Sequence, residues 1–181
     1  MRLTGTASVS LSSVSITGNV VNSASTTTQG GVLINGGAVS ITGSTVSGNV
    51  PNLASTQGAL RISTSGAVTI TGGVFDSNNA ATASQYRSVE VLGNSSSVNI
   101  SGSAFTNNTS SGALAIRANA ASVTNSYFAN NTASKTLPAA YVPAISGIAG
   151  GAAIVSTSSG ILTINGSVFV NNSLASVSTA N

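Results

Sequence analysis

Apolar and small polar residues alternate along short stretches of the chain, and the same alternation returns many times. Val39 and Ile41 lie two positions apart, as do Val68 and Ile70, with small polar residues between and beyond them. A period of two is typical of β-strands, in which successive side chains point to opposite faces. The pattern therefore predicts short strands, each with one apolar face.

The strands belong to a repeated nine-residue template that opens on an aliphatic residue. We interpret residues 16–24 as a degenerate first copy, and the clear copies are residues 41–49, 70–78, 100–108, 123–131 and 164–172. Successive spacings of the opening residue are 25, 29, 30, 23 and 41 residues. A repeat of this length predicts one structural unit per copy, and hence about six coils.

Glycine stands two residues after the opening residue in five copies, and Asn125 takes its place in the other. The five glycines are Gly18, Gly43, Gly72, Gly102 and Gly166. A position that accepts glycine or asparagine favours a backbone with positive φ. Each strand is therefore expected to end in a tight bend at this residue.

A short strand with a single apolar face becomes stable when coils stack on one another in parallel register. Stacking predicts an internal column of large apolar residues, namely Val21, Val46, Phe75, Phe105, Phe128 and Phe169. Three residues further on it predicts a column of asparagines, namely Asn49, Asn78, Asn108, Asn131 and Asn172. Stacked amides can bond to one another, so this ladder satisfies its own polar groups. The fold class is all-β, a right-handed parallel β-helix; the alternative is a β-sandwich, which also fits short strands between turns.

We expect a single domain over residues 1–181, with the coils at about 14–172 and loop insertions at about 80–88 and 134–150. Pro138 and Pro143 lie in the second insertion, where they forbid regular strand pairing. Apolar, aromatic and basic residues on these loops are candidates for an interaction site, namely Tyr86, Arg87, Leu137, Tyr141, Val142 and Ile145. The competing interpretation is that each insertion folds over its own solenoid.

Two short motifs recur in the copies. Phe75 to Asn78, Phe105 to Asn108 and two later tetrads read F-x-x-N, and upstream segments such as residues 30–34 and 150–154 are variants of G-G-A-I. Over about residues 14–172 the chain resembles the polymorphic outer membrane protein family. The resemblance implies a β-helix and an extracellular or cell-surface adhesive role. The leader and membrane barrel of that family have no counterpart in this sequence, so the resemblance does not extend to anchoring.

The small number of charged residues limits the partners and reactions that the chain could support. The chain has five cationic and two acidic residues and neither histidine nor cysteine. Spread cations give no basic patch, so we expect no nucleic-acid partner. Asp76 and Glu90 lie at different positions of the repeat, so we do not expect them to face each other as a catalytic pair. A serine nucleophile would need a base such as histidine to activate it, and the chain has no histidine. We therefore predict a non-enzymatic protein with no catalytic, metal or cofactor residues, and keep a polysaccharide-binding or polysaccharide-degrading β-helix as an alternative.

The positions that flank the opening residues suggest another alternative, an ice-binding β-solenoid. These outward pairs are Ser15 and Thr17, Ser40 and Thr42, Thr69 and Thr71, Asn99 and Ser101, Ser122 and Thr124, and Thr163 and Asn165. Paired hydroxyl groups on a flat face could order water. The mixture of side chains is equally typical of any solvated strand face.

Neither end of the repeat shows a charged or helical cap, and solenoids need one. We therefore expect either a segment of a longer rod or a subunit that stacks end to end into a fibre. Partners would be further copies of the chain, other surface proteins or glycans. No stretch of the sequence is long and apolar enough to predict a membrane span.

Overall fold

The repeated strands form three parallel sheets that run along a solenoid. The computed structural model describes residues 1–20, 31–50, 58–79, 87–110, 112–133, 153–156 and 160–174. Each of these three sheets contains six strands, and each coil contributes one strand to each of them. Every pairing between named strands in the described residues is parallel, so the β-sandwich alternative is wrong and the parallel β-helix prediction is confirmed.

The strands follow one another around the coil in a fixed order. The first sheet contains β1 (Arg2–Thr4), β4 (Val32–Asn35), β7 (Leu60–Ser63), β10 (Val89–Ser95), β14 (Leu114–Ala118) and β18 (Ile154–Ser156). The second contains β2 (Val9–Ser12), β5 (Val39–Thr42), β8 (Val68–Thr71), β11 (Val98–Ser101), β15 (Ala121–Thr124) and β19 (Leu162–Asn165). The third contains β3 (Ser15–Thr17), β6 (Thr45–Ser47), β9 (Val74–Asp76), β12 (Ala104–Thr106), β16 (Tyr127–Ala129) and β20 (Val168–Val170). A small fourth sheet contains β13 (Thr109–Ser110), β17 (Thr132–Ala133) and β21 (Ser173–Leu174).

Each coil contains two bends with a left-handed backbone. The first bend connects the second sheet to the third, and the second bend lies between the third sheet and the asparagine of the column. The first bend holds Ser13, Gly43, Gly72, Gly102, Asn125 and Gly166, and the second holds Gly18, Gly48, Ser77, Asn107, Asn130 and Asn171. Their φ angles lie between 48° and 65°. The predicted bend is therefore confirmed from the second copy onward, and the second bend is a feature that the sequence analysis missed.

The first coil corrects the repeat assignment. Leu11, not Ile16, pairs with Ile41, and Ile16 pairs with Val46 in the column assigned to Val21. Strands begin at Arg2, well before residue 14. The error arose from Gly18, which was matched to the first bend but belongs to the second, while Ser13 with a φ of 53° occupies the first.

Inward-facing aliphatic side chains from all three sheets form one continuous core. In the second sheet Val68 and Ile70 are completely buried while Thr69 and Thr71 between and beyond them are exposed. Burial of each such aliphatic side chain contributes about 1.5–3 kcal/mol. Adjacent coils repeat this arrangement in register, so the core lengthens by one layer with every coil.

Candidate functional site

The large apolar column in the interior is a stack of aromatic rings. Successive ring centroids of Phe75, Phe105, Phe128 and Phe169 lie 4.8, 4.7 and 4.9 Å apart, with interplanar angles of 17° or less. Val46 pairs with Phe75 and continues the column toward the amino-terminal coils. The structure thus brings together five of the six residues assigned to this column; the sixth, Val21, lies outside the described residues, and Ile16 occupies its place beside Val46.

The asparagine column lies beside the rings and is joined by hydrogen bonds that run in one direction. Asn108 Nδ2 donates to Phe75 O at 2.9 Å and to Asn131 Oδ1 at 2.9 Å. Its Oδ1 accepts from the backbone N–H of Asn78 at 3.1 Å and from Asn78 Nδ2 at 3.3 Å. The same pattern extends to Asn49 and Asn172, and the five residues stand at the positions assigned from the sequence.

Asn19 also belongs to this column, although the repeat template did not predict it. Its Nδ2 donates to Asn49 Oδ1 at 2.8 Å, and Asn49 Nδ2 donates to Ile16 O at 3.0 Å. The shifted assignment of the first copy hid Asn19. A register based on Leu11 and Ile16 would have placed it eight residues after the opening residue, as in the other copies.

A column of serines follows the first bend and was also missed. Ser103 Oγ accepts from Gly73 N at 3.1 Å and donates to Ser101 O at 3.0 Å. Ser44, Ser126 and Ser167 make corresponding contacts between adjacent coils. The signal was present in the sequence, because serine follows the bend residue in four copies.

The two carboxylates lie on different sheets and do not share a site. Asp76 is at the end of β9 in the third sheet and accepts hydrogen bonds from Ser77 Oγ, Thr106 Oγ1 and Asn107 Nδ2. Partial burial raises the pKa of Asp76, but the three hydrogen bonds to its charged form outweigh burial and leave the pKa below its usual value. Two of these hydrogen bonds, from Thr106 and Asn107, join Asp76 to the next coil.

Glu90 lies in the first sheet, where its neighbour in register is Arg61. Its side chain is 3% exposed, and Oε1 accepts from the backbone N–H of Arg87 at 3.3 Å. Burial raises the pKa of Glu90 to about 7, although the positive charges of Arg61 and Arg87 lower it. Arg87 is only 4% exposed, so its assignment to an exposed interaction loop was wrong: it lies beside a buried carboxylate.

The outer face of the second sheet presents two columns of hydroxyl and amide groups in register. The first column is Ser10, Ser40, Thr69, Asn99, Ser122 and Thr163, and the second is Ser12, Thr42, Thr71, Ser101, Thr124 and Asn165. Five of the six outward pairs named from the sequence are thus on one face. Ser15 and Thr17 lie on the third sheet instead, and Ser10 and Ser12 take their place.

The outer face of the third sheet changes from polar to apolar along the solenoid. One column in register reads Ser15, Thr45, Val74, Ala104, Tyr127 and Val168. Val74, Tyr127 and Val168 are 39–50% exposed. This apolar column was not singled out from the sequence, although apolar residues at outward positions are a recognisable signal.

Comparison with protein families decides what kind of solenoid this is. The family model for right-handed β-helix regions matches residues 2–181, nearly the whole chain. The chain belongs to the right-handed β-helix family. No curated protein and no solved structure matches the chain.

The carboxy-terminal coil of this β-helix exposes the interior. Phe75, Phe105 and Phe128 are fully buried, whereas Phe169 in the last described coil is 45% exposed. Ile164, at the inward position of the second sheet, is also 45% exposed. The layer that would cover these side chains in a longer stack is not among the described residues.

The loop candidates fall mostly outside the described residues of the β-helix. Tyr86, Leu137, Tyr141, Val142 and Ile145 all lie there, as does Val21. In the described part of the chain there is no cluster of three or more acidic side chains that could hold a metal ion. The same residues contain no helix long and apolar enough to cross a membrane.

Proposed function

We propose that this β-helix is a non-enzymatic structural or adhesive protein of the extracellular space or cell surface, and that its rods associate end to end. The observation that carries the proposal is the half-exposed ring of Phe169 at the end of a stack whose other rings are buried. An apolar layer left open to water favours association with a matching layer.

The chemistry of the described side chains favours a role without catalysis. Asp76 is engaged by three hydrogen bonds, and Glu90 is buried beside Arg61 and Arg87. General acid–base chemistry requires a titratable group that can reach a substrate, and a pair of such groups for glycoside hydrolysis. Neither carboxylate offers this geometry, and the sequence contains no histidine or cysteine.

An adhesive contribution is supported by the outer apolar column and by the repeat motifs. Val74, Tyr127 and Val168 provide an exposed apolar strip along the third sheet. The F-x-x-N and G-G-A-I-like motifs resemble those of the polymorphic outer membrane protein family, whose passenger regions are associated with adhesion. The strip and the open end together fit a rod that touches partners along its side and copies of itself at its ends.

Negative-stain electron microscopy across a concentration series tests the proposal. We expect filaments of constant width that lengthen as the protein concentration rises. Isolated rods of one length at every concentration would contradict end-to-end association. Release of reducing sugar from mixed polysaccharides would contradict a non-enzymatic role and favour the polysaccharide-degrading alternative.

Ice binding is a second candidate because the second sheet carries two outward polar columns in register. Ten of the twelve positions hold serine or threonine, and Asn99 and Asn165 hold the other two. A thermal hysteresis assay distinguishes this function. If ice binding is correct, the native protein depresses the freezing point and Thr71→Lys, in the middle of the face, abolishes the effect; no hysteresis in the native protein rejects it.

A further inference from the structure

The hydrogen bonds of the asparagine column give the solenoid a direction, so its two ends differ. In each step the asparagine of one coil donates its backbone N–H and its Nδ2 to Oδ1 of the next coil's asparagine, as Asn131 does to Asn172 at 3.2 and 2.8 Å. In return, Nδ2 of the next asparagine donates to the carbonyl of the large apolar residue below, as Asn172 does to Phe128 O at 2.8 Å. The unit is therefore polar and not symmetric.

The two ends of the described stack carry complementary hydrogen-bonding groups of the asparagine column. At the amino-terminal end Asn19 is exposed. In every later coil the Oδ1 atom equivalent to that of Asn19 accepts hydrogen bonds from the asparagine of the preceding coil, as Asn49 Oδ1 does from Asn19. At the carboxy-terminal end, the backbone N–H of Asn172 and the carbonyl of Phe169 correspond to the groups that bond to the next coil. Within the described residues, no partner reaches any of these three groups.

The apolar layers of the two ends also match in position. Leu11 and Ile16 form the first layer and are partly buried, while Ile164 and Phe169 form the last and are 45% exposed. Leu11 and Ile164 occupy one column of the repeat, and Ile16 and Phe169 occupy another. An aliphatic side chain already contacts the aromatic column within the solenoid, where Val46 is paired with Phe75.

We propose that a second copy of this chain seats its first coil on the last coil of its neighbour, head to tail and in register. This inference rests on the proposed end-to-end association and adds its polarity and register. Leu11 of the incoming copy covers Ile164, Ile16 covers Phe169, and Asn19 covers Asn172. Asn19 Oδ1 then accepts from the Asn172 N–H, and Asn19 Nδ2 donates to Phe169 O.

Other ways of joining the ends do not complete these bonds. Two amino-terminal ends brought together place one Asn19 acceptor against another. Two carboxy-terminal ends place the Asn172 N–H groups against each other, and the Phe169 carbonyls likewise. A buried polar group without a partner costs about 1–3 kcal/mol, so the head-to-tail arrangement is favoured over both.

Disulfide cross-linking tests both polarity and register, and the absence of native cysteine removes any background. Ser10, Ser12, Thr163 and Asn165 all face solvent on the second sheet, so cysteine at these positions leaves the core unchanged. In the proposed stack Ser10 adjoins Thr163 and Ser12 adjoins Asn165, with Cα atoms about 4.8 Å apart. That separation lies within the roughly 4.4–6.8 Å that disulfides span.

The four single-cysteine variants are mixed in pairs under mild oxidation, and each mixture is also imaged as in the filament test. We expect Ser10→Cys with Thr163→Cys, and Ser12→Cys with Asn165→Cys, to form at least tenfold more dimer than the offset pairs. The offset pairs, Ser10→Cys with Asn165→Cys and Ser12→Cys with Thr163→Cys, are displaced by two residues, about 7 Å along the strand. They serve as matched controls.

Each outcome decides the inference. Preferential dimers from both in-register pairs support it. Two other outcomes overturn the head-to-tail register but leave end-to-end association standing. In the first, filaments form but Ser10→Cys or Thr163→Cys dimerises mainly with itself. In the second, filaments form but the offset pairs react as well as the in-register pairs. Absence of both filaments and cross-links overturns the proposed function and this inference together.

Discussion

At the level of single residues, Asn108 illustrates what a polar side chain needs inside a solenoid. It is fully buried and makes four side-chain hydrogen bonds, two as donor and two as acceptor. Three of its contacts are with the asparagines of the two adjacent coils, Asn78 and Asn131. A buried amide is tolerated here because the neighbouring coil supplies the same residue at the same place.

Replacing Asn108 by leucine tests this dependence. The substitution removes the acceptor of the buried Asn78 N–H and one of the two donors to Phe75 O, so we expect the free energy of unfolding to fall by on the order of 3 kcal/mol. Chemical denaturation measures the loss. Asn99→Leu, the same change at an exposed strand position, is the control and should stay within about 0.5 kcal/mol of the native protein. Equal losses in the two variants would show that the column does not contribute in this way.

Glu90 makes the stability of the protein depend on pH. Its pKa is raised from 4.5 to about 7, so between these values the folded chain binds more protons at Glu90 than the unfolded chain does. Its contribution is fully present below pH 4.5 and is lost as pH rises through about 7. Asp76, whose pKa is lowered from 3.8, acts only below this window.

We therefore expect the unfolding free energy to decrease between pH 4.5 and pH 8 by up to about 3 kcal/mol, since one pKa unit corresponds to about 1.4 kcal/mol. Glu90→Gln keeps an oxygen that can accept from the Arg87 N–H but does not titrate, so its stability should be nearly constant over the same range. Thermal unfolding midpoints at several pH values measure both. A native protein that becomes more stable as pH rises through this window would contradict the prediction.

At the level of elements, the bends fix where each strand ends. Both bends use a left-handed residue, and glycine, asparagine or serine occupies every such position. Side chains larger than glycine pay a conformational penalty there, which asparagine reduces through local hydrogen bonding. The bends set the length of each strand and hence the register of the whole coil.

Gly102 allows this penalty to be measured without a steric clash, because a Cβ built on it meets nothing within 4 Å. Its φ is 54°. We expect Gly102→Val to lower the unfolding free energy by about 2 kcal/mol, since β-branched residues rarely adopt this conformation. Gly102→Asn is the matched control and should lose much less, as Asn125 occupies the equivalent position. Similar losses in both variants would indicate that the bend tolerates any side chain.

The sequence predicted those parts of the fold in which a column repeats an easily recognised residue type. The aromatic and asparagine residues from Phe75 onward recur at a fixed separation, so they predicted the stack. The first coil was misassigned because Ser13 replaces the expected glycine while Gly18 imitates it. The burial of Arg87 was also not predicted, because Arg87 was assigned to a loop insertion and no pattern in that loop showed that its N–H would donate to the buried Glu90.

At the level of the whole molecule, the solenoid carries very little charge. Five cationic and two acidic residues in 181 give a net charge of +3, and Glu90 and Arg87 are buried among them. Long-range repulsion between copies is therefore weak. Association of such rods would depend on apolar contact and hydrogen bonds at their ends, interactions that salt screens little.

Filament formation should accordingly be almost insensitive to ionic strength. We expect the fraction of sedimenting protein to stay constant between about 0.05 M and about 1 M salt, over which the Debye length falls from more than 10 Å to about 3 Å. The double variant Ser10→Lys, Thr163→Lys places like-charged side chains on adjacent strands, whose Cα atoms are about 4.8 Å apart in the proposed head-to-tail register. Its assembly should fail at low salt and recover at high salt, because screening then suppresses the repulsion. A matched variant with both lysines on the same face but away from the ends, Thr69→Lys and Asn99→Lys, keeps the total charge and should assemble more readily at low salt. Native assembly that weakens steeply with added salt would instead mean that electrostatic attraction joins the copies.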